Sequence, residues 1–133
     1  MFDVSSYIGI PYKDHGRERD GLDCWGLLRL IYKEQLGITL PSYSEEYSTA
    51  EDRDEVSRII KRESAPWVEV SEPRPGDAIL VRLMGEPWHV GVMTARNEMI
   101  HITRGTAACL DRLNGARWNR RIAGFFRYCP ENE

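Results

Sequence analysis

The sequence predicts an α+β fold, on two observations about where its apolar residues fall. Up to about Arg62 they recur at helical spacing, and after the break at Pro73-Arg74-Pro75-Gly76 they come in short runs bounded by turn residues. Helical texture first and strand texture second indicates segregated layers, with helices packed on a C-terminal antiparallel sheet.

The first ten residues make a short helical turn that stops before Gly9-Ile10-Pro11, and Lys13 to Gly21 is a charged loop. Asp23 then caps a helix whose apolar positions Cys24, Leu27, Leu28 and Ile31 follow the i, i+3, i+4, i+7 pattern. Gly37 stands where a left-handed C-terminal cap is expected, and Pro41 forbids continuation. A second helix is expected from about Ala50 to Arg62. Ser48 and Glu51 have capping-box spacing there, and Val56, Ile59 and Ile60 make an apolar stripe. Ala78 to Leu83 reads as a largely buried strand, Trp88 to Met93 as a second and Met99 to Ile102 as a third. The breaks Gly85-Glu86-Pro87 and Ala95-Arg96-Asn97 are short and turn-like. Cys109 to Leu113 and Ile122 to Tyr128 supply two further strands, the whole forming a meander. With no repeat or low-complexity linker, residues 1–133 read as one domain.

Composition excludes several classes. With 41% hydrophobic and 29% charged residues the chain is neither disordered nor membranous, and a net charge of −3 gives no footprint for nucleic acid. The start, Met1 to Tyr7, has neither the basic nor the apolar region of a signal peptide, and no stretch is apolar enough for membrane insertion. The three cysteines, Cys24, Cys109 and Cys129, have no C-x-x-C spacing and an odd count, which leaves at least one thiol free and implies folding in a reducing cytoplasm. Cys109 and Cys129 read as small core residues of strands.

Cys24 is the residue to which chemistry attaches. A cysteine in the first turn of a helix meets unpaired backbone N–H groups and the positive end of the helix dipole, both of which favour thiolate. Asp23 opposes this, unless its side chain turns toward the N–H groups of the first turn or toward a substrate amine. A nucleophilic cysteine needs an imidazole as base, and the imidazole needs a polar partner on its other nitrogen. His89 and His101 fall on successive strands of an expected hairpin, so one can serve as base and the other can orient it. His15 lies in the charged loop and reads as exposed. The competing use of one cysteine and two histidines is catalytic zinc, but the spacing matches no short zinc motif and no carboxylate base accompanies it.

These residues resemble the NlpC/p60 peptidoglycan peptidases. The likeness runs through Ile10-Pro11-Tyr12, then Gly21-Leu22-Asp23-Cys24-Trp25-Gly26-Leu27-Leu28, then Tyr32 and Leu40-Pro41. It continues in Pro75-Gly76-Asp77-Ala78-Ile79-Leu80, Trp88-His89-Val90-Gly91-Val92 and Met99-Ile100-His101. The resemblance implies a papain-like fold and hydrolysis of amide bonds in the stem peptides of bacterial peptidoglycan, with no cofactor and no metal. It implies that Cys24 attacks the carbonyl, His89 shuttles the proton and His101 orients His89. Tyr12 then helps to hold the oxyanion beside the N–H groups at the helix start, and Asp23 and Trp25 meet the substrate. The family usually has serine where this chain has Trp25, which alters the cleft floor. An aromatic there is similar to versions from phage tail-tip clusters. This implies synthesis in the host cytoplasm, a place in the virion, tail-tip proteins as partners, and a docking surface away from the Cys24 cleft, with Arg117 to Arg121 as candidate. The rivals are a tail-tip structural or assembly protein that keeps the fold without cutting, and acyltransferase or amidase chemistry on the same fold.

Overall fold

The computed structural model describes residues 3–40, 67–83 and 86–129. The helix expected over Ala50 to Arg62 lies outside the described residues. A 3-10 turn, Ser5–Tyr7, opens the chain where a helical turn was expected. The charged loop that follows is more ordered than its composition suggests. Arg17–Glu18 (β1) and Gly21–Leu22 (β2) pair as an antiparallel hairpin around the two residues Arg19 and Asp20. A two-residue strand has too few side chains to show an alternating pattern, so nothing in the sequence announced it.

Helix α1, Cys24–Ile31, starts where the cap predicted. A π-helical turn, Tyr32–Leu36, extends it and closes on Gly37 in the left-handed conformation (φ 69°), a geometry that favours glycine.

Six strands make one antiparallel sheet: Trp67–Val70 (β3), Ala78–Leu83 (β4), Glu86–Ala95 (β5), Glu98–His101 (β6), Cys109–Arg112 (β7) and Ile122–Tyr128 (β8). The order is β3-β8-β4-β5-β6-β7. The expected meander holds from β4 to β7, but β8 returns to lie between β3 and β4, and β3 itself was not foreseen. The sheet is covered on both faces, which is why Ala78 to Val81 is apolar without alternation. Ala78, Leu80, Val90, Val92 and Ile100 meet α1 and its neighbours. Ile79, Val81, Met93 and Met99 pack on the other face with Leu113 and Trp118.

Candidate active site

Asp23 sets the start of α1. Its backbone is extended (φ −95°, ψ −175°) and its Oδ1 accepts a 2.7 Å hydrogen bond from the Gly26 N–H. Strand β1 and the loop before it supply two more donors: Arg17 Nη1 reaches Oδ1 at 2.8 Å, and the His15 N–H reaches Oδ2 at 3.2 Å. His15 is therefore half-buried with φ 59°, rather than simply exposed as expected, because its backbone belongs to this bracket. Of the two orientations foreseen for Asp23, the structure shows the one toward the helix N–H groups.

Cys24 follows, 2% exposed. Burial pushes its thiol up to about 12, and the Asp23 carboxylate adds to the rise. The backbone N–H groups of Val90 and Trp25 act on the sulfur in the opposite direction, as does Arg17. Val90 directly follows His89 on β5, so the cysteine lies against that strand. Trp25, also 2% exposed, is a core residue beneath the helix start.

His89 and His101 come together as adjacent strands require. His89 Nε2 lies 3.0 Å from His101 Nδ1, and His101 Nε2 lies 2.8 Å from Asp111 Oδ2. The carboxylate at the end of this chain only accepts, so with both imidazoles held neutral by burial every proton in it is assigned. His101 carries its proton on Nε2 and accepts at Nδ1, so His89 donates from Nε2 and keeps the lone pair on Nδ1. Burial, then the neighbouring His101, pulls the His89 imidazole down to about 3. Burial also lowers His101, with the Asp111 hydrogen bond opposing.

Asp111 was not singled out from sequence. On β7 it reads as an ordinary exposed-face residue of an alternating strand. Only the register, with His101 opposite Cys109 and Met99 opposite Asp111, brings its carboxylate to His101. Trp118 was also missed. Its ring stacks on His89 (centroids 6.3 Å, 25°) and stands edge-on to His101 (5.0 Å, 86°). Arg117 and Arg121 lie over the indole at 4.9 and 5.9 Å. Two of the exposed arginines of the stretch expected to dock a partner thus lie over the indole that covers the histidine pair.

Tyr12 is half-buried and near enough to Cys24 for the charge of a thiolate to raise its phenol, after burial and Asp14. Its hydroxyl donates to Asp14 Oδ1 at 3.0 Å, and Arg104 holds the same carboxylate at 2.8 and 3.0 Å. All three cysteines are free thiols. Cys109 and Cys129 are half-buried rather than core, and Cys109 Sγ lies 3.9 Å from His101 Nε2. Among the described residues, the one set of metal-ligand type that converges is His101, Cys109 and Asp111, not Cys24 with the histidines.

The model of the NlpC/P60 family matches residues 9–127. The chain belongs to the NlpC/P60 family. It is 25% identical over 121 residues to the murein DD-endopeptidase MepS/murein LD-carboxypeptidase of Escherichia coli K12, covering 91% of this chain and 57% of that one. To a probable endopeptidase, an NlpC homologue of Haemophilus influenzae, it is 28% identical, covering 87% and 54%. The chain thus spans little more than half the length of these relatives. Among solved structures, an NlpC/P60 protein of Bacillus cereus superposes with a TM-score of 0.66 at 28% identity, covering 93% of this chain and 37% of that one. The NlpC/p60 domain of the peptidoglycan hydrolase SagA gives 0.60 at 20% identity, covering 91% and 88%. The papain-like α+β architecture expected from sequence is the one observed.

Proposed function

We propose that this NlpC/P60 domain is a cysteine endopeptidase hydrolysing amide bonds in peptidoglycan stem peptides, with Cys24 as nucleophile, His89 as base and His101 as the residue that orients it. The observation that carries this reading is the hydrogen-bonded chain His89–His101–Asp111, which leaves Nδ1 of His89 as the nitrogen able to accept a proton. The relative named a murein DD-endopeptidase supplies the substrate class.

Cys24 and His89 are both neutral in the resting site, so proton transfer accompanies attack. As the sulfur bonds to the carbonyl carbon, its proton passes to His89 Nδ1, and the new imidazolium is stabilised through His101 by Asp111. The oxyanion meets N–H groups at the start of α1 and, once its hydroxyl leaves Asp14, Tyr12. His89 then protonates the departing amine. Water, deprotonated by the same imidazole, releases the acyl group from Cys24. Trp25 shapes the cleft from below and Asp23 holds the helix start, with Arg17 engaging the carboxylate that a substrate amine would otherwise meet.

The test is incubation with purified peptidoglycan fragments and mass spectrometry of the products. Cleavage within stem peptides that Cys24→Ala abolishes is the expected result, and cleavage that survives this change overturns the assignment. Intact fragments throughout would favour the rival reading of a non-cutting structural protein, and a transferred acyl group would favour acyltransferase chemistry. For the place of action we infer a phage tail tip, supported by the Trp25 resemblance. Mass spectrometry of purified particles tests it, and absence of the chain from them would refute it.

A further inference from the structure

His101, Cys109 and Asp111 form a cluster that the peptidase reading uses only in part. Cys109 has no role in proton transfer, yet the ladder places it directly across from His101, with Asp111 two residues on along the same face. Their ligand atoms lie within 4.8 Å of one another, with His101 Nε2 3.9 Å from Cys109 Sγ and 2.8 Å from Asp111 Oδ2. A tetrahedral zinc ion with nitrogen, oxygen and sulfur ligands sets those separations at about 3.3–3.6 Å. The sulfur therefore closes by a few tenths of an ångström and the carboxylate withdraws by about half an ångström. The Asp111 side chain is 32% exposed and has room to do so, whereas that of His101 is 3% exposed and held.

We propose that His101 Nε2, Cys109 Sγ and the Asp111 carboxylate bind a zinc ion, and that this ion switches the peptidase off by inverting the tautomers of the histidine pair. One imidazole, one thiolate and one carboxylate suit zinc better than a hard cation such as magnesium or calcium. The half-buried cysteine and aspartate give the ion its route in and leave a fourth position for water.

The switch follows from proton positions. Without metal, His101 donates from Nε2 to Asp111, accepts from His89 at Nδ1 and leaves His89 Nδ1 basic. Zinc takes the Nε2 lone pair, so a neutral His101 must carry its proton on Nδ1 and donate it to His89 Nε2. His89 must then carry its own proton on Nδ1, where it can no longer accept one from Cys24. The balance is one proton lost from His101 Nε2, one passed from His89 Nε2 to His101 Nδ1, one taken from solvent at His89 Nδ1, and one released by the Cys109 thiol. Zinc here inhibits and is no cofactor.

The inference rests on the proposed roles of His89 and His101, and the test keeps the two separable. Metal-free protein is titrated with zinc chloride, and with cobalt as a spectroscopic probe. Expected are one ion per chain, a thiolate-to-cobalt absorption band absent from Cys109→Ser, and nitrogen NMR showing that His89 Nδ1 gains a proton. Hydrolysis of peptidoglycan fragments should fall by about 10²-fold or more with zinc and recover with chelator. Cys109→Ser should keep the metal-free rate and escape inhibition at the same zinc concentration, with Cys109→Ala as second variant if the serine form folds poorly. No bound ion, an unchanged His89 tautomer, or equal inhibition of the Cys109 variants would overturn the proposal. If the protein cuts no fragment at all, the cobalt and NMR measurements still decide the metal site, while the peptidase reading alone fails.

Discussion

Cys24 and His89 are both held neutral, and burial is the first reason for each. With the thiol raised to about 12 and the imidazole lowered to about 3, the resting protein stores no thiolate–imidazolium pair. The sign gives a prediction. The thiolate fraction of Cys24 should still be rising through about pH 10, so its alkylation by iodoacetamide should be slow at neutral pH and climb without a plateau. A plateau reached below about pH 7, read by mass spectrometry of the Cys24 peptide, would show a stored ion pair instead. Mutational cost should follow distance from the transferred proton. Cys24→Ala should abolish hydrolysis, His89→Ala should cost about 10³-fold or more, and His101→Ala about 10–10²-fold, with Asp111→Ala smaller again. A larger loss at His101 than at His89, in folded variants, would mean that their roles are exchanged. The places of Cys24, His89 and His101, at a helix start and on paired strands, were legible in the sequence because each sits in a patterned element. Asp111 was not, because a charge on an alternating strand looks solvent-facing until the register gives it a partner.

At the scale of elements, the start of α1 and the β5–β6 pair carry the candidate site. Asp23→Asn keeps a capping side chain but removes the negative charge, the second cause of the raised thiol. Cys24 should then alkylate faster at neutral pH, while stability falls by about 2–3 kcal/mol because Arg17, 11% exposed, loses its ion pair. Unchanged alkylation would show that burial alone sets the thiol. On β5, Gly91 lies between His89 and Met93 on the face that carries His101. A Cβ there would stand 3.0 Å from Met99 Sδ and 3.3 Å from His101 Cβ. Gly91→Ala should move His101 and lower kcat about tenfold or more, at a stability cost of about 1–3 kcal/mol. A stable and fully active variant would mean that the flexible Met99 yields and the histidine stays. The helix and the strands β4 to β8 were readable because caps, Gly/Pro breaks and periodicity are local signals. The hairpin β1–β2 was too short to show one, and β3, as long as β6 and β7, was not read as a strand.

Over the whole molecule, the feature that no local pattern encodes is the return of β8 between β3 and β4. It rests on long-range pairing, Ala78 with Phe126 and Val70 with Phe125, and on one ion pair. Arg127, on β8, presents Nε to Asp77 Oδ1 at 3.0 Å and Nη2 to Oδ2 at 2.9 Å. The Asp77 side chain is 5% exposed and that of Arg127 28%, and the Arg74 N–H gives Asp77 a further 2.7 Å hydrogen bond. Arg127→Ala should leave a buried carboxylate short of its main partner and cost about 2–4 kcal/mol, below the full value for a buried pair because the arginine is partly hydrated. For a domain of this size that is a fall in Tm of roughly 5–15 °C. Asp77 adjoins the end of β4 that pairs with Val92, whereas Val81 at the other end pairs with His89. The separation along the strand is about 13 Å, so kcat well below Tm should change by less than about twofold. The double change Asp77→Asn, Arg127→Leu should recover part of the lost stability, because no unpaired charge stays buried. If Arg127→Ala lowers kcat as much as it lowers stability, or if the double variant is worse than the single, then the sheet closure and the histidine chain form one cooperative unit rather than two separable ones.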